Sequence, residues 1–383
     1  MTNGRRDILI IMGRYLPGYK DGGPVRSIKN MTDLLGKEYR FKILTCDRDH
    51  GDTKKYPNIK VNDWNRLSNA EVYYVPPKRF SKKLIMELAG HVDLIYVCGC
   101  FNDYAINTLI ANRFGKIKVP VVVAAMGLFS PGALKIKSLK KNTFINVFNT
   151  LGLFKNVYWS ATSEMEVTDI LNVIKTDRKK IIIAEDIPRA VQEKRIIKIK
   201  NSGELKVVFI SRFSPKKNLL QAIKILQEVK CNVEFTLYGP DEDKDYWYEC
   251  KKELNRLPDN VIWEWKGNLD SENVVETLKN QDVFLFPTRG ENFGHVIQEA
   301  LSAGCPCIIS DQTPWQDLES QGIGYVLPLN DNKPFVEAIE KYAAMGQEKF
   351  QNVVDKAHKY AISVSNNKAK NTGYRRIFEI RNR

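Results

Sequence analysis

Residues 283–306 read VFLFPTRGENFGHVIQEALSAGCP, and no other segment of the 383-residue chain constrains the fold as strongly. Four apolar residues open it, as in a buried strand, and Ile297, Ala300 and Leu301 have the spacing of one helix face. A loop with Gly294 near its end joins the two patterns. The segment therefore predicts a strand, a loop and a helix, which is the repeating unit of a parallel α/β sheet.

Similar strand and helix patterns alternate along the rest of the chain. Helices are predicted at 25–35, 218–229 and 296–303. Strands are predicted at 7–12, 41–46, 71–75, 93–98, 120–125, 157–161, 180–184, 206–211, 233–238, 261–265, 282–287 and 306–310. This alternation predicts an α/β fold with parallel sheets and helices on both sheet faces.

The length of the chain and one polar segment predict two domains. A chain of 383 residues exceeds one ordinary core. The charged stretch 187–204 contains Pro188, precedes a new strand and is interpreted as a linker. We therefore predict one domain at 1–190, a second at 191–365, and a C-terminal helix at 366–383 that packs back on the first domain.

The positive charge of the chain is concentrated in its first half. The net charge is +14, and residues 1–200 hold 35 Lys and Arg against 19 Asp and Glu, whereas residues 201–383 hold 24 against 26. A basic half suits an anionic partner such as lipid headgroups, nucleic acid or a phosphorylated substrate. An ordinary basic surface is the alternative explanation.

The composition predicts a folded cytoplasmic protein. No run approaches the ~20 apolar residues of a membrane-spanning helix. The short apolar run after Arg5 and Arg6 is too short for a signal peptide and predicts a first strand instead. Seven scattered cysteines suit a reducing compartment better than a disulfide framework.

The loop and helix start within residues 287–299 combine a phosphate site with two carboxylates. A helix that begins near His295 exposes backbone N–H groups and its positive dipole end, and Gly294 lets a ligand approach closely. Glu299 lies about one turn inside that helix, and Glu291 lies in the loop. Carboxylates repel phosphate but accept hydrogen bonds from sugar and ribose hydroxyls. We therefore predict a ligand site here, against the alternative of a solvated helix start with incidental glutamates.

Two further turns place cations or glycines at predicted strand ends. Arg212 and Lys217 flank the turn after the strand at 206–211, where two cations can neutralise a diphosphate. Gly22 and Gly23 follow the first strand and precede a helix that starts with proline, so their amides can reach a phosphate. Each pattern alone is typical of an ordinary turn.

Together the three segments resemble the retaining glycosyltransferases of the GT-B fold, in their large family 4 group. The most specific part of the resemblance is Glu291-x₇-Glu299 with Phe293-Gly294 inside it, and the likeness covers nearly the whole chain. The resemblance implies two facing Rossmann-like domains with the active site in an interdomain cleft.

The resemblance also implies roles for individual residues. It places Glu291 on the transferred sugar and Glu299 on the ribose, with Arg212 and Lys217 on the diphosphate. Arg212, Lys217 and Glu291 are thereby the implied catalytic residues. The other donor-binding residues that it implies are Gly22, Gly23, Lys266, Phe293, Gly294, His295 and Val296.

The reaction implied by the resemblance is transfer of a hexose or N-acetylhexosamine with retention of its anomeric configuration. The donor is a nucleotide diphosphate sugar, with UDP favoured over GDP, and the acceptor is lipid-linked or an oligosaccharide. The leaving phosphate oxygen takes the proton of the acceptor hydroxyl. Cations and the helix dipole stabilise the developing charge, so we expect no metal or other cofactor. The pathway implied is surface polysaccharide synthesis, such as that of O-antigen or capsule.

A basic amphipathic segment at 134–154 predicts peripheral attachment to an anionic membrane, at the inner face of the plasma membrane. Its lysines include Lys135, Lys137, Lys140 and Lys141. Leu139, Phe144 and Phe148 are predicted to add apolar insertion. A core helix with a basic outer face explains the same pattern equally well.

Some residues depart from the family pattern or permit another chemistry. Many relatives carry a polar residue near the sugar where this chain has Met126, which makes the choice of sugar uncertain. Asp241-Glu-Asp243 has the D-x-D form of some metal-dependent transferases, but its acidic turn is interpreted as solvated. No metal site is predicted.

Two rival functions come from other classes. A nucleic-acid-binding protein accounts for the basic half but leaves the glutamate pair unexplained, so no nucleic-acid partner is predicted. A nucleotide-sugar epimerase of similar architecture needs acid–base residues on the sugar ring, which the four histidines do not clearly supply.

Overall fold

The structure of the protein, a computed structural model, describes residues 4–18, 20–130, 133–134 and 138–382. These residues form two compact units. The first unit holds the chain up to Ile187 and again from Lys368 onward, and the second unit holds Pro188–Asn367. Each unit contains its own mainly parallel sheet, so the predicted α/β fold is confirmed.

Fourteen strands are described, and they form two sheets. Their bounds are β1 Asp7–Ile11, β2 Arg40–Cys46, β3 Trp64–Leu67, β4 Ala70–Val75, β5 Leu94–Cys98, β6 Val121–Ala124, β7 Tyr158–Ala161, β8 Ile181–Ile183, β9 Glu204–Ile210, β10 Asn232–Tyr238, β11 Val261–Trp265, β12 Val283–Phe286, β13 Cys307–Ser310 and β14 Gly324–Leu327. The first sheet has the order β3-β4-β2-β1-β5-β6-β7-β8, and the second has the order β11-β10-β9-β12-β13-β14. Only the β3–β4 pair among them is antiparallel.

Helices connect most of the strands. Their bounds are α1 Gly23–Leu35, α2 Lys82–Ala89, α3 Asp103–Arg113, α4 Ser138–Thr150, α5 Glu164–Val173, α6 Leu219–Leu226, α7 Lys244–Leu254, α8 Val274–Lys279, α9 His295–Ser302, α10 Leu318–Gln321, α11 Lys333–Ala343, α12 Gln347–Lys370 and α13 Tyr374–Phe378, and a 3₁₀ turn spans Arg178–Lys180. The predicted helices at 25–35, 218–229 and 296–303 correspond to α1, α6 and α9.

The inner strands are apolar on both faces because each face packs on a separate layer of helices. In β1, Ile8 and Ile10 pack into one apolar cluster while Leu9 and Ile11 pack into another, and all four are fully buried. This arrangement explains why the sequence pattern shows continuous apolar runs there.

Two strands were not predicted from the sequence. β3 lies at the edge of its sheet and is mostly solvent-accessible, so Trp64–Leu67 lacks an apolar run. β14 begins at Gly324, where a Cβ would lie only 2.2 Å from the Cys307 carbonyl oxygen. Glycine is required there because the two backbones approach too closely for a side chain.

The segment interpreted as a linker is irregular, but much of it packs on the second unit. Gln351 of α12 donates to the Ile196 carbonyl at 2.7 Å and accepts from the Lys198 amide at 3.1 Å. One turn earlier, Gln347 makes the same two contacts with Lys198 and Lys200. Two glutamines one helical turn apart therefore satisfy an extended backbone that no strand pairs with.

The C-terminal residues return to the first unit. Within residues 366–383, α12 ends at Lys370 and α13 follows. A Cβ on Gly373 would lie 1.9 Å from the Ile183 carbonyl oxygen, so the chain passes directly against β8 at this point. Phe378 is fully buried and its ring meets that of Tyr39 edge-on at 5.2 Å.

Candidate active site

In the second sheet, the order in which successive strands are added reverses direction between β9 and β12. β9, β10 and β11 run outward on one side, and β12, β13 and β14 run outward on the other. In such sheets ligands bind beyond the carboxyl ends of the strands at this crossing point. The loops that follow β9 and β12, residues 211–218 and 287–294, are here called the donor loops.

Backbone hydrogen bonds hold the two donor loops together. Asn218 adopts a left-handed conformation (φ 62°) and its side chain donates to the Pro287 carbonyl at 2.9 Å. The Lys216 carbonyl accepts from the Arg289 amide at 2.8 Å and from the Thr288 hydroxyl at 3.2 Å. Polar side chains carried by these loops are therefore held in fixed positions.

An ion pair joins the donor loops at their centre. The Lys217 ammonium donates to a Glu291 carboxylate oxygen. The Thr288 hydroxyl lies 3.2 Å from the same oxygen, and its one hydrogen is shared between this oxygen and the Lys216 carbonyl. The two charged side chains are only 19% and 12% exposed. Burial lowers the pKa of Lys217, and the adjacent Glu291 opposes that shift. The sequence singled out both residues but did not predict their pairing.

Further cations surround this pair. Arg212 and Lys216 are exposed on the first donor loop, and both also act to lower the pKa of Lys217 by charge repulsion. Arg289 is exposed on the second loop. Lys216 and Arg289 were missed as candidate site residues, although each is adjacent in sequence to a residue of the loop motifs. Four cations against one carboxylate leave the donor loops strongly electropositive.

Helix α9 begins at the end of the second donor loop, and its N-cap residue, Gly294, has no side chain that could cap it. Gly294 precedes it in a left-handed conformation (φ 79°), and a Cβ there would lie 2.9 Å from Ile297 Cδ1. The N-terminal backbone amides of α9 therefore lie at the end of the second donor loop, where no N-cap side chain competes with a ligand. Such a helix start attracts a phosphate group.

The residues around the start of α9 are largely buried. Glu299 is 5% exposed and His295 is 9% exposed. The Phe293 ring lies 4.9 Å from His295 and 5.4 Å from Trp315, and the Trp315 indole N–H donates to the Phe293 carbonyl. Trp315 was not predicted as part of this region. It fixes the backbone immediately before the helix start.

The segment around Lys266, one of the implied donor-binding residues, lies at the carboxyl end of β11. Lys266 is half-exposed there and pairs with Glu264 at 3.2 Å. The Gly267 carbonyl accepts from the Gly239 amide, which follows β10, at 2.8 Å. The segment therefore lies at the same sheet edge as the donor loops, two strands out from β9.

Both aspartates of the Asp241-Glu-Asp243 motif make contacts with neighbouring residues of the same turn and helix start. Asp243 caps α7 by accepting from the Tyr246 amide at 3.1 Å. Asp241 pairs with Lys244 at 2.7 Å. The solvated-turn interpretation of this motif agrees with these contacts.

In the first unit, Gly22 and Gly23 lie where β1 leads into α1. Gly22 has a positive φ of 65° and precedes the helix, and a Cβ on either glycine would meet no atom within 4 Å. Pro24 occupies the first turn of α1, as predicted. The amides at this helix start are therefore accessible to a ligand.

The carboxyl ends of β1 and β2 carry polar atoms that sequence reasoning missed. Arg14 Nε, Thr45 Oγ1 and the Tyr56 hydroxyl are all buried and have no hydrogen-bond partner among the described residues. A Cβ on Gly18 would lie 2.1 Å from that hydroxyl. Buried unpaired polar atoms are costly, so three of them, one in β2 and two in the loops after β1 and β2, indicate a place where a ligand supplies the partners.

Met126 also lies at a strand end in this unit. It has a positive φ of 51° after β6, and the next amide, of Gly127, donates to the Glu166 carboxylate. Glu166 also accepts from the Thr162 amide at 2.6 Å. The conformation of the Met126 turn is thus held by a buried carboxylate on α5.

Residues 191–360 match the family model described as glycosyl transferases group 1. This part of the chain is similar to that family. The chain is 25% identical to a phosphatidyl-myo-inositol mannosyltransferase of Mycobacterium leprae over 37% of its own length and 41% of the relative. It is also 25% identical to the UDP-Gal:alpha-D-GlcNAc-diphosphoundecaprenol alpha-1,3-galactosyltransferase of Escherichia coli, over 44% and 47% of the two chains.

A solved structure has the same fold over nearly the whole chain. Anabaena Alr3699/HepE, in complex with UDP and glucose, superimposes with a TM-score of 0.67 at 16% identity, covering 96% of this chain and 99% of that one. The lipopolysaccharide glycosyltransferase WaaG superimposes with a TM-score of 0.64 at 14% identity. Among the described residues, none of the helices has the length and apolar character needed to cross a bilayer.

Proposed function

We propose that this protein is a retaining glycosyltransferase that takes a hexose or N-acetylhexosamine from a UDP-sugar. The observation that carries the proposal is the arrangement of the donor loops. The Lys217–Glu291 pair, the other cations and the start of α9 lie at one crossing point, with Glu299 one turn inside the helix. Cations suit the diphosphate, and carboxylates suit the hydroxyls of the sugar and the ribose.

The proposed reaction breaks the bond between the sugar C1 and the diphosphate oxygen and forms a bond from C1 to the acceptor oxygen on the same face. The leaving phosphate oxygen takes the proton of the acceptor hydroxyl. Arg212, Lys217 and the start of α9 stabilise the charge that develops on the diphosphate. Donor hydroxyls would share Glu291 with Lys217, so donor binding would redistribute the hydrogen bonds of this pair.

These cations and amides also carry the proposal that no metal is required. We expect full activity in excess chelator. Activity that is lost with EDTA and restored by Mg²⁺ or Mn²⁺ would contradict it.

A lipid-linked acceptor in surface polysaccharide synthesis is the proposed second substrate. The names of the M. leprae and E. coli relatives specify acceptors with lipid anchors. The basic first half of this chain, +16 over residues 1–200 against −2 over the rest, suits the anionic surface where such an acceptor lies. The proposed location is the cytoplasmic face of the plasma membrane, and no nucleic-acid partner is proposed.

The structure changes which residues can meet that membrane. Phe148 is 8% exposed and stacks on the partly buried Phe144 at 3.8 Å, so the two rings belong to the core of the first unit and their predicted insertion is wrong. Lys141 donates to the Ala133 carbonyl at 2.6 Å. Lys135 and Lys137 lie outside the described residues.

Leu139, the third residue predicted to insert, is 81% exposed at the start of α4, and further exposed apolar side chains lie near the end of that helix and beside it. Phe114 is 70% exposed, Leu151 is 59% exposed, and the intervening Arg113 reaches the Leu151 carbonyl at 3.4 Å. Lys155 and Lys180 are joined nearby, because the Lys180 ammonium donates to the Lys155 carbonyl at 2.5 Å. Each basic side chain near anionic lipid contributes about 1 kcal/mol. We propose that the surface formed by Phe114, Leu151, Lys155 and Lys180 contacts the membrane.

Vesicle flotation tests the membrane contact. We expect the protein to float with phosphatidylglycerol vesicles at low salt and not with phosphatidylcholine vesicles. Phe114→Ser with Leu151→Ser should weaken flotation, whereas Ile262→Ser, an equally exposed apolar residue of the second unit, should not. Equal flotation of all variants would reject this surface.

The experiment that tests the reaction is product analysis with a panel of UDP-sugars and a polyprenyl-diphosphate-linked acceptor. We expect transfer with the donor's anomeric configuration preserved, as shown by the proton coupling constant at C1 of the product. An inverted product would contradict the retaining mechanism. No transfer from any nucleotide sugar would contradict the proposed function.

A further inference from the structure

A cavity of about 600 Å³ opens on the second unit, and its lining shares no residue with the donor loops. It is lined by Glu193, Arg195, Asp355, His358, Lys359 and Ile362. Four of these residues belong to α12, and two belong to the irregular segment before β9. The volume lies within the usual range for small-molecule sites, ~300–1,000 Å³.

His358 gives this cavity an unpaired buried acceptor. Its Nδ1 lies 2.7 Å from the Ser302 carbonyl oxygen, which can only accept, so Nδ1 carries the hydrogen. In the neutral ring Nε2 is then an acceptor. That atom is buried and has no partner among the described residues, and the side chain is 8% exposed. A buried acceptor of this kind is paired in most proteins, so a ligand with a donor group fits here.

The charges of the lining identify the class of ligand. Arg195 and Asp355 neutralise each other at 3.1 Å. Glu193 and Lys359 add one exposed acid and one exposed base. Beside His358 the lining carries two acidic and two basic side chains, so it favours neither a phosphate nor a cation. Neutral hydroxyl groups can donate to His358 Nε2 and Glu193 and accept from Lys359.

We propose that this cavity is a second carbohydrate-binding site, which takes a neutral mono- or disaccharide independently of the donor. A sugar offers hydroxyls that donate and accept within one small molecule, together with an apolar face that suits Ile362. The site is non-catalytic, because none of its residues belongs to the donor loops. It goes beyond the proposed transfer reaction and does not depend on it.

The test is a titration of the full chain with maltose, lactose and N,N′-diacetylchitobiose, followed by saturation-transfer NMR. We expect at least one disaccharide to bind with a millimolar dissociation constant. Lys359→Ala should weaken that binding about tenfold, as expected for loss of a charged hydrogen bond. Lys349→Ala, an exposed lysine on the same helix outside the cavity, should not change it.

His358→Asn is the sharper variant, because the asparagine amide can still donate to the Ser302 carbonyl while the Nε2 acceptor is lost. We expect it to weaken disaccharide binding with little change in thermal stability. Glu299→Ala should leave disaccharide binding unchanged, which separates this site from the donor site. The proposal is overturned if no disaccharide binds, if Lys359→Ala and His358→Asn bind normally, if only Glu299→Ala abolishes binding, or if inorganic phosphate displaces the sugar.

Discussion

Each sheet has a crossing point, at β1–β5 in the first sheet and at β9–β12 in the second. The polar groups near the two points differ in whether they are hydrogen-bonded within the protein. At the β9–β12 point, Lys217, Thr288 and Glu291 are hydrogen-bonded to one another. At the β1–β2 edge beside the β1–β5 point, Arg14 and Tyr56 each leave a buried polar atom that finds no partner in the part of the chain that the structure describes. One site is internally satisfied, and the other lacks partners that a ligand can supply.

This difference indicates different roles for the two units. An electropositive network of this kind holds its cations in place before an anionic group binds, so those cations are preorganised to stabilise it. Buried unpaired atoms raise the free energy of the unliganded protein, and a polar ligand recovers that cost on binding. We therefore propose that the donor loops bind the diphosphate of the donor and that Arg14 and Tyr56 contact the acceptor.

The largest effect is expected from breaking the ion pair of the donor loops. Lys217→Ala should lower kcat by ~10²–10³-fold, because it removes a charge-stabilising donor from the diphosphate. Arg212→Ala should also lower kcat without affecting the fold, because Arg212 is exposed. Normal turnover by both variants would remove the catalytic role assigned to the donor loops. Exposed Lys224→Ala on α6 is the matched control.

A second effect should separate donor affinity from catalysis. Glu299→Ala should weaken nucleotide binding by about 1.5–3 kcal/mol, the value of hydrogen bonds to a charged group. Isothermal titration with UDP measures this change, and circular dichroism checks that the fold is intact. An unchanged UDP affinity would show that Glu299 does not hold the ribose.

Substitutions in the first unit should affect the acceptor instead. Arg14→Ala is expected to raise the acceptor KM about tenfold, as for one lost charged hydrogen bond, while UDP affinity stays unchanged. Tyr56→Phe should raise that KM as well without lowering the free energy of unfolding, because its hydroxyl has no partner to lose. A rise in the UDP dissociation constant in either variant would contradict the division of roles.

The smallest expected effect is on the pH dependence of the free energy of unfolding. Burial raises the pKa of Asp186 from 3.8 to about 6, although the Ser27 hydroxyl opposes the shift. The folded protein therefore binds this proton more tightly than the unfolded chain. Stability from this group is fully present below pH 3.8 and is lost as the pH rises through about 6.

Asp186→Asn should remove the loss of stability that occurs as the pH rises through about 6. We expect the variant to have a higher urea midpoint than the wild type at about pH 7.5, with the difference shrinking toward about pH 4. The exposed Asp259→Asn should show no such pH-dependent difference. A constant difference across the pH range would indicate that Asp186 does not titrate in this way.

The elements with strong local patterns were predictable from the sequence. β12, the second donor loop and α9 follow from an apolar run, glycines and a helix-face spacing in residues 283–302. The sequence also places Arg212, Lys217 and Glu291 at strand ends, because hydrophobic periodicity and turn residues are local properties of a sequence. β3 and β14 were missed because an exposed edge strand and a glycine-led strand carry no such pattern.

Pairing between distant residues was not predictable in the same way. The Lys217–Glu291 bond spans 74 residues and depends on β9 and β12 being neighbours in the sheet. The burial of Phe144 and Phe148 was missed because an amphipathic pattern does not tell a membrane from a protein core. The unpaired atoms of Arg14, Thr45 and Tyr56 become visible only when all possible partners are in place.

The central claim is that the donor nucleotide binds at the β9–β12 crossing point. Hydrogen–deuterium exchange of the full chain with and without saturating UDP, in excess EDTA, tests it most directly. We predict protection of backbone amides at 211–218 and 287–299, with no change at 355–362 around His358. Protection confined to the first unit, or none at all while UDP is bound, would contradict the account.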